Sequence, residues 1–239
     1  MSFLLICSIC LFLAVNFVAL VLSKKRVIKR KNPLAKEYIR KDRFYHKAKA
    51  EGYRGRAAYK LIELQNRFSL IRPGARVLDL GSFPGGWLQV ALDLVGKKGK
   101  LVGVDLKAVE AVRMGENEAR IILGDFTEPD IAAQLMEESA RFHCIISDLS
   151  PAITGIKMGD AFRSAELVSA AMSLFPTMLM RGGNFVAKIF PGPEAEELAK
   201  ELKKQFETFQ RCQLESTRQS SKELYFVCRK YKAPSMKQA

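Results

Sequence analysis

An α/β fold is predicted, with a mostly parallel sheet, helices on both faces and an antiparallel hairpin at the end of the chain. Three observations predict it. Short apolar strands alternate with helical stretches from Arg76 onward. A glycine-rich turn, Gly81 to Gly86, joins the first of these strands to a helix. Aspartates Asp79, Asp105, Asp125 and Asp148 recur at the carboxyl ends of strands, where ligands bind in such sheets. One strand-end acid is often only a helix cap, whereas several in register argue for one shared ligand.

Taken in order, Tyr53 to Phe68 reads as a helix, with Ala57, Leu61, Leu64 and Phe68 at helical spacing. Pro73-Gly74 marks a turn. Arg76 to Leu80 is a strand and Trp87 to Val95 a helix. Strands follow at Leu101 to Val104, Ile121 to Leu123 and Cys144 to Ser147, with a helix at Asp130 to Ala140. Ala161 to Met180 reads as one long helix, Phe185 to Ile189 as a strand around Lys188, and Glu194 to Phe209 as a helix. Arg211 to Glu215 and Leu224 to Cys228 form the terminal hairpin.

The 239 residues, 48% of them hydrophobic, suffice for one such domain with a buried core, and disorder is excluded. Four parts are expected: an apolar segment at 1–23, a basic extension at 24–52, the main α/β domain at 53–232 and a tail at 233–239. The formal net charge is +14. Lys24 to Lys60 holds fifteen Lys and Arg against three acids, so twelve of those charges sit in one stretch. This favours a polyanion, either a nucleic acid or an anionic membrane surface. Residues 3–22 carry no charge and only Ser8 and Asn16 as polar side chains, a length that spans a bilayer. Three readings stand: a membrane anchor, a cleaved signal peptide, or a start codon placed too far upstream. The first and third leave the catalytic part cytoplasmic.

The five cysteines, Cys7, Cys10, Cys144, Cys212 and Cys228, show no disulfide framework, and Cys7 and Cys10 lack a second ligand pair for zinc. With His46 and His143 as the only histidines, no metal centre is expected.

The turn Asp79-Leu-Gly-Ser-Phe-Pro-Gly-Gly-Trp87 lets backbone approach a ligand, but it is not the G-x-G-x-x-G of dinucleotide enzymes. Asp105 follows Gly85 by twenty positions, the spacing at which an acid binds ribose hydroxyls in nucleotide folds. Asp125 is then placed to accept from an adenine amino group. Trp87 is open to two readings, core residue or ligand contact.

At these residues the chain resembles a known family. Gly52-Tyr-Arg-Gly-Arg-Ala-Ala-Tyr-Lys-Leu61, the turn just quoted, Ile146-Ser-Asp-Leu-Ser-Pro151, Phe185-Val-Ala-Lys-Ile-Phe190 and Ser221-Lys-Glu-Leu-Tyr225 together resemble the FtsJ-type ribose 2′-O-methyltransferases over about residues 32 to 230. The resemblance implies a Rossmann-like fold that uses S-adenosyl-L-methionine. It implies a catalytic tetrad of Lys60, Asp148, Lys188 and Glu223, and cofactor contacts at Gly85, Trp87, Asp105, Asp125 and Asp148. It also implies a monomer acting on a uridine in large-subunit ribosomal RNA. Ser82-Phe83 departs from the small residues common in this turn, and residues 1–31 have no counterpart.

The chemistry is intelligible without the family. A ribose hydroxyl must lose its proton as it attacks, whereas a sulfonium methyl is already activated, so a positioned base is the main requirement. A lysine can serve if burial or a neighbouring cation lowers its pKa, and Lys188, among Phe185, Val186, Ile189 and Phe190, is the best placed. Glu215 is the possible substitute for Glu223. Arg40, Lys41, Arg43, Lys47, Lys49, Arg54 and Arg56, interleaved with Tyr38, Phe44, Tyr45 and Tyr53, are expected to meet phosphates and unpaired bases. The alternatives are another RNA such as tRNA, a base or protein methyltransferase, or a membrane-tethered RNA-binding module without catalysis.

Overall fold

The computed structural model describes residues 43–218 and 221–233. The apolar segment at 3–22, the basic run before Arg43, and Cys7 and Cys10 lie outside them. In chain order the elements are α1 (Arg43–Ala50), α2 (Ala58–Phe68), β1 (Arg76–Leu80), α3 (Gly86–Val95), β2 (Lys100–Asp105), β3 (Arg113–Met114), β4 (Asn117–Glu118), β5 (Arg120–Leu123), α4 (Pro129–Glu138), β6 (Phe142–Ser147), α5 (Lys157–Ser173), α6 (Phe175–Met178), β7 (Leu179–Ile189), α7 (Pro193–Gln205), β8 (Phe206–Cys212) and β9 (Leu224–Tyr231). Among the described residues no helix is long and apolar enough to cross a membrane.

Seven strands form one sheet in the order β5-β2-β1-β6-β7-β9-β8. Every pairing is parallel except those of β9, which runs antiparallel between β7 and β8. The terminal hairpin is therefore present, with its second strand inserted into the sheet. The direction of chain progression reverses between β1 and β6, which opens a crevice at their carboxyl ends.

Side-chain alternation along the strands sorts the interior into two layers. Leu78, Leu80, Ile145, Phe185, Ala187 and Phe226 pack with α5, α6 and α7 on one face. Val77, Cys144, Ile146, Val186, Tyr225 and Val227 pack with α2 and α3 on the other. By the same parity Asp79, Lys188 and Glu223 project toward the α2 side. Cys144, Cys212 and Cys228 are free and buried, where each acts as a small apolar residue.

Several boundaries differ from the sequence reading. Helix α2 begins at Ala58, after turns at 51–57, rather than at Tyr53. The stretch read as one helix from Ala161 to Met180 is α5, the short α6 with Pro176 in its first turn, and the start of β7. Leu179 leaves the helix to pair with Phe142. Phe206 to Phe209 leave α7 to pair with β9, so tertiary pairing overrides a helical pattern at both places. Helix α1 and the β3–β4 hairpin carried no usable periodicity: α1 buries only Ala48, and each hairpin strand has two residues.

Candidate active site

The four tetrad residues come from four separate elements and meet on the α2 face of the crevice. Lys60 lies in the first turn of α2, Asp148 directly follows β6, Lys188 is the penultimate residue of β7, and Glu223 immediately precedes β9. Register explains the meeting: Ser147 pairs with Ala187, and Lys188 pairs with Tyr225. The Lys60 ammonium lies 2.6 Å from Glu223 Oε1 and 3.7 Å from Asp148 Oδ1. The Lys188 ammonium lies 3.2 Å from the same Asp148 oxygen and donates to the Asp148 carbonyl at 2.8 Å. Asp148 thus sits between two lysines, all within a nearly solvent-free pocket, with Lys60, Lys188 and Glu223 each less than one-tenth exposed.

The pocket is reinforced from outside the tetrad. The Tyr225 hydroxyl donates to Asp148 Oδ1 at 2.6 Å, and the Tyr225 ring stacks on Trp87 with centroids 6.2 Å apart. Glu223 accepts from the hydroxyls of Thr217 at 3.1 Å and Ser221 at 3.2 Å. Glu63 of α2 holds the backbone of this segment, accepting from the amides of Glu215 and Ser216 at 3.0 and 3.1 Å. Glu215 is therefore exposed and fixed by its backbone, and the carboxylate that reaches Lys60 belongs to Glu223. Tyr225 was quoted within a motif but not singled out; its place two residues after Glu223 on the same strand face was the available signal.

The charge states follow from these contacts. Burial works to lower the pKa of Lys60, but the carboxylates of Asp148 and Glu223 outweigh it and hold the ammonium above its ordinary range. Burial works to raise Asp148, but Lys60, Lys188 and the Tyr225 hydroxyl outweigh it and keep the carboxylate ionised, with its pKa lowered. Burial pushes the Tyr225 phenol well up, so it remains a donor. Lys60, Asp148 and Tyr225 are each held in a form that resists taking up a proton. Lys188 is the remaining amine of the pair.

The other half of the crevice contains the predicted cofactor residues. Gly85, at φ +108, precedes α3, whose first amides have no intrahelical acceptor. Trp87 resolves toward the core, since its side chain is 3% exposed and its indole donates to the Ala57 carbonyl at 2.8 Å. Only its backbone remains for a ligand. Asp105 Oδ2 accepts from the Phe83 amide and Oδ1 from the Lys107 amide, each at 2.8 Å, which fixes the Ser82-Phe83 turn against the end of β2. Asp125 Oδ1 accepts from the amide and hydroxyl of Thr127 at 2.9 and 2.7 Å, so one of its oxygens serves as a turn cap.

Asp79 is different. It is fully buried, and among the described residues neither of its carboxyl oxygens has a hydrogen-bond partner; the Ser82 hydroxyl is likewise buried and without one there. Burial, together with the charges of Asp148 and Asp105, raises its pKa well above the carboxylate range. Orphaned buried acceptors at the mouth of a sheet are costly unless a donor arrives. An incoming ammonium group meets that need, and the sequence signalled Asp79 only as one strand-end acid among four. Among the described residues no group of three or more His, Cys, Asp or Glu is placed to hold a metal ion.

On the basic side, Phe44 and Tyr53 pack against Tyr59 at 5.5 and 5.7 Å between centroids. Their rings are partly committed to this cluster rather than free for bases, while Tyr45 stays exposed.

Comparison with known proteins agrees with this geometry. Residues 53–231 match the family described as FtsJ-like methyltransferase. A ribosomal RNA large subunit methyltransferase E of Syntrophobacter fumaroxidans is 42% identical over 190 residues, covering 80% of this chain and 95% of that protein. Its counterpart from Methanothermobacter thermautotrophicus is 43% identical over 194 residues, covering 81% and 91%. The crystal structure of a Plasmodium falciparum protein described as a ribosomal RNA methyltransferase is similar with a TM-score of 0.67 at 28% identity, over 76% of this chain and 100% of that one.

Proposed function

This chain belongs to the FtsJ-like methyltransferase family, and from that premise we propose that it methylates a ribose 2′-hydroxyl of large-subunit ribosomal RNA in the cytoplasm, with S-adenosylmethionine as methyl donor. The observation that carries the reading is Asp148 held between Lys60 at 3.7 Å and Lys188 at 3.2 Å, beside a crevice with unpaired buried acceptors. The target is a uridine in the family's implied reaction.

The residues fit the cofactor. Asp79 and Ser82 offer acceptors to its ammonium group, Asp105 to its ribose hydroxyls and Asp125, through its second oxygen, to its adenine amine. Gly85 and the backbone of Trp87 provide the close approach. When bound, the cofactor supplies a methyl group on a sulfonium centre that requires no further activation.

The chain's own residues handle the hydroxyl. Lys188, once neutral, takes the hydroxyl proton as the oxygen attacks in line. Asp148 anchors Lys188 through both its carboxylate and its carbonyl. Lys60 stays cationic and stabilises negative charge developing on the oxygen. Glu223 fixes Lys60. The basic helix α1, with Arg43, Lys47 and Lys49, supports phosphate binding.

The test compares two RNA oligonucleotides spanning the target, one with its 2′-hydroxyls and one lacking the hydroxyl at a single position. Methyl incorporation only into the first is expected. Equal incorporation into both means that a base is the acceptor and removes the proposal. Incorporation into tRNA but not into large-subunit RNA would move the substrate to another RNA.

A further inference from the structure

Arg54 lies in the basic stretch, where composition points to a phosphate contact. Its guanidinium is committed elsewhere. It donates to the carbonyls of Glu110 and Ala111 at 2.7 Å each, and to that of Pro84 at 3.4 Å. A Cβ on Gly85 would lie 2.9 Å from Arg54 Nη1 and 3.1 Å from its Cδ, so the side chain lies directly along the glycine. The backbone is fixed as well. The Arg54 amide donates to Gln89 Oε1 at 2.8 Å, and Gln89 Nε2 donates to the Gly52 carbonyl at 3.0 Å. Among the described residues the carboxylate within 4.0 Å is that of Glu110, which is 94% exposed, so the guanidinium is held chiefly by carbonyl dipoles.

The two segments that Arg54 joins flank the crevice. Pro84-Gly85 belongs to the glycine-rich turn, and Glu110-Ala111 follows the strand end that carries Asp105. No backbone hydrogen bond joins these segments among those seen. Nearer the sheet the turn is already tied to β2, where the Gly81 and Ser82 amides donate to the Val104 carbonyl and the Phe83 amide to Asp105 Oδ2; beyond Asp105 the polar link is the planar Arg54 fork, with five donors in fixed directions, which a lysine cannot reproduce. Positioning the Gly85 backbone relative to Asp105 is what a nucleoside bound across both would require.

We propose that Arg54 is a positioning residue for the cofactor: it clasps the glycine-rich turn to the segment beyond Asp105 and thereby sets the width of the nucleoside cleft. This inference rests on the proposed use of S-adenosylmethionine. It also explains Gly85 independently of ligand approach, because any side chain there would displace the clasp, and φ +108 disfavours one in any case.

The test uses the full chain with Arg54→Ala and Arg54→Lys. Three quantities are measured: S-adenosylmethionine affinity by calorimetry, RNA affinity across a salt series, and melting temperature without ligand. Arg54→Ala is expected to weaken the cofactor by about ten-fold or more, the scale of a lost charge-assisted hydrogen bond. Arg54→Lys should recover only part of this. RNA affinity and its salt slope should stay at wild-type values, and the cofactor-induced rise in melting temperature should shrink.

Unchanged cofactor affinity in both variants overturns the proposal. So does a salt slope reduced by about one, which would mark Arg54 as a phosphate ligand. A parallel fall of RNA affinity, cofactor affinity and ligand-free melting temperature, or failure of both variants to fold, would show a general structural role and also overturns it. If the wild-type chain binds no S-adenosylmethionine, the proposed function fails first, and that outcome is visible before any variant is made.

Discussion

The two halves of the crevice treat buried carboxylates in opposite ways. On the tetrad side Asp148 and Glu223 are saturated: two lysines and three hydroxyls hold them. On the proposed cofactor side Asp79 is deeper still and has no hydrogen-bond partner among the described residues. The first half is organised before any ligand arrives, as a site that must hold a proton acceptor and a cation in fixed relation requires. The second is incomplete by itself, and its unmet acceptors become favourable contacts only when a donor fills the cleft. The proposed catalytic groups are thus stabilised by the fold, and the proposed binding groups are left to be stabilised by the ligand.

The largest effect expected from breaking this division is at Lys188. Lys188→Ala should lower kcat by about 10²–10⁴-fold, the usual contribution of a general base, while leaving cofactor affinity nearly unchanged. Lys188→Arg should fail as well, because a guanidinium stays protonated at any workable pH. Near-normal turnover of Lys188→Arg would make Lys188 a positioning cation only, and the base would have to be sought elsewhere.

Lys60 tests the saturated half for stability rather than rate. Lys60→Met leaves Glu223 without its 2.6 Å partner and Asp148 with one lysine instead of two. Removing one member of a buried ion network costs about 3–5 kcal/mol, and denaturant unfolding should show a lower midpoint by a corresponding amount. Because the Lys60 pKa is raised in the folded chain, its contribution is complete below the ordinary lysine range and disappears as pH rises through the folded value. The gap between wild type and Lys60→Met should therefore be constant at neutral pH and narrow in strong alkali. A constant gap at every pH would mean that packing, not charge, is lost.

Asp79→Asn probes the unsatisfied half, with opposite signs for stability and binding. The raised pKa means that the folded state keeps its proton to higher pH than the unfolded chain does, so stability falls as pH rises from the ordinary carboxylate range toward the folded value. Asparagine resembles the protonated acid and removes that slope. Without ligand, Asp79→Asn should melt a few degrees higher at neutral pH, with the advantage vanishing in acid. Cofactor affinity should drop by about ten-fold, since a neutral amide oxygen accepts from an ammonium group more weakly than a carboxylate does. Binding to the wild type should also release a proton, detectable by calorimetry in buffers of different ionisation enthalpy. Absence of that release would leave Asp79 without a role in the cofactor site.

The same division explains what could be read from the sequence. The grouping of Lys60, Asp148, Lys188 and Glu223 was legible through five motifs in register with the family, while residue by residue only Lys188, within Phe185-Val-Ala-Lys-Ile-Phe190, and Asp148, at a strand end, stood out. The sheet was legible because strands ending in aspartate alternate with helices. Arg54 was not, because a sequence shows charge but not which carbonyls a guanidinium meets across thirty or more positions. Asp79 resembled its three strand-end companions, and only three-dimensional burial separates it from them. The starts of β7 and β8 were hidden for a related reason: Leu179 and Phe206 suit a helix locally, and pairing with Phe142 and Tyr231 decides otherwise.

The smallest change sharpens the comparison furthest, because it removes one oxygen atom from the saturated half. Tyr225→Phe keeps the ring that stacks on Trp87 and lies 5.7 Å from the Lys60 ammonium, and it deletes only the hydroxyl that donates to Asp148 at 2.6 Å. Two lysines still hold Asp148, so the expected loss is about 1 kcal/mol of stability and less than about ten-fold in kcat. The pH dependence is more diagnostic than either magnitude. Asp148 has a lowered pKa, so its stabilising contribution is present above the ordinary carboxylate range and is lost as pH falls through the folded value. Without the hydroxyl that folded value moves up, and acid unfolding of Tyr225→Phe should begin at higher pH than in wild type. An acid transition that does not move would show that the two lysines alone fix Asp148. A fall in kcat as deep as that of Lys188→Ala would mean instead that the phenol touches the substrate.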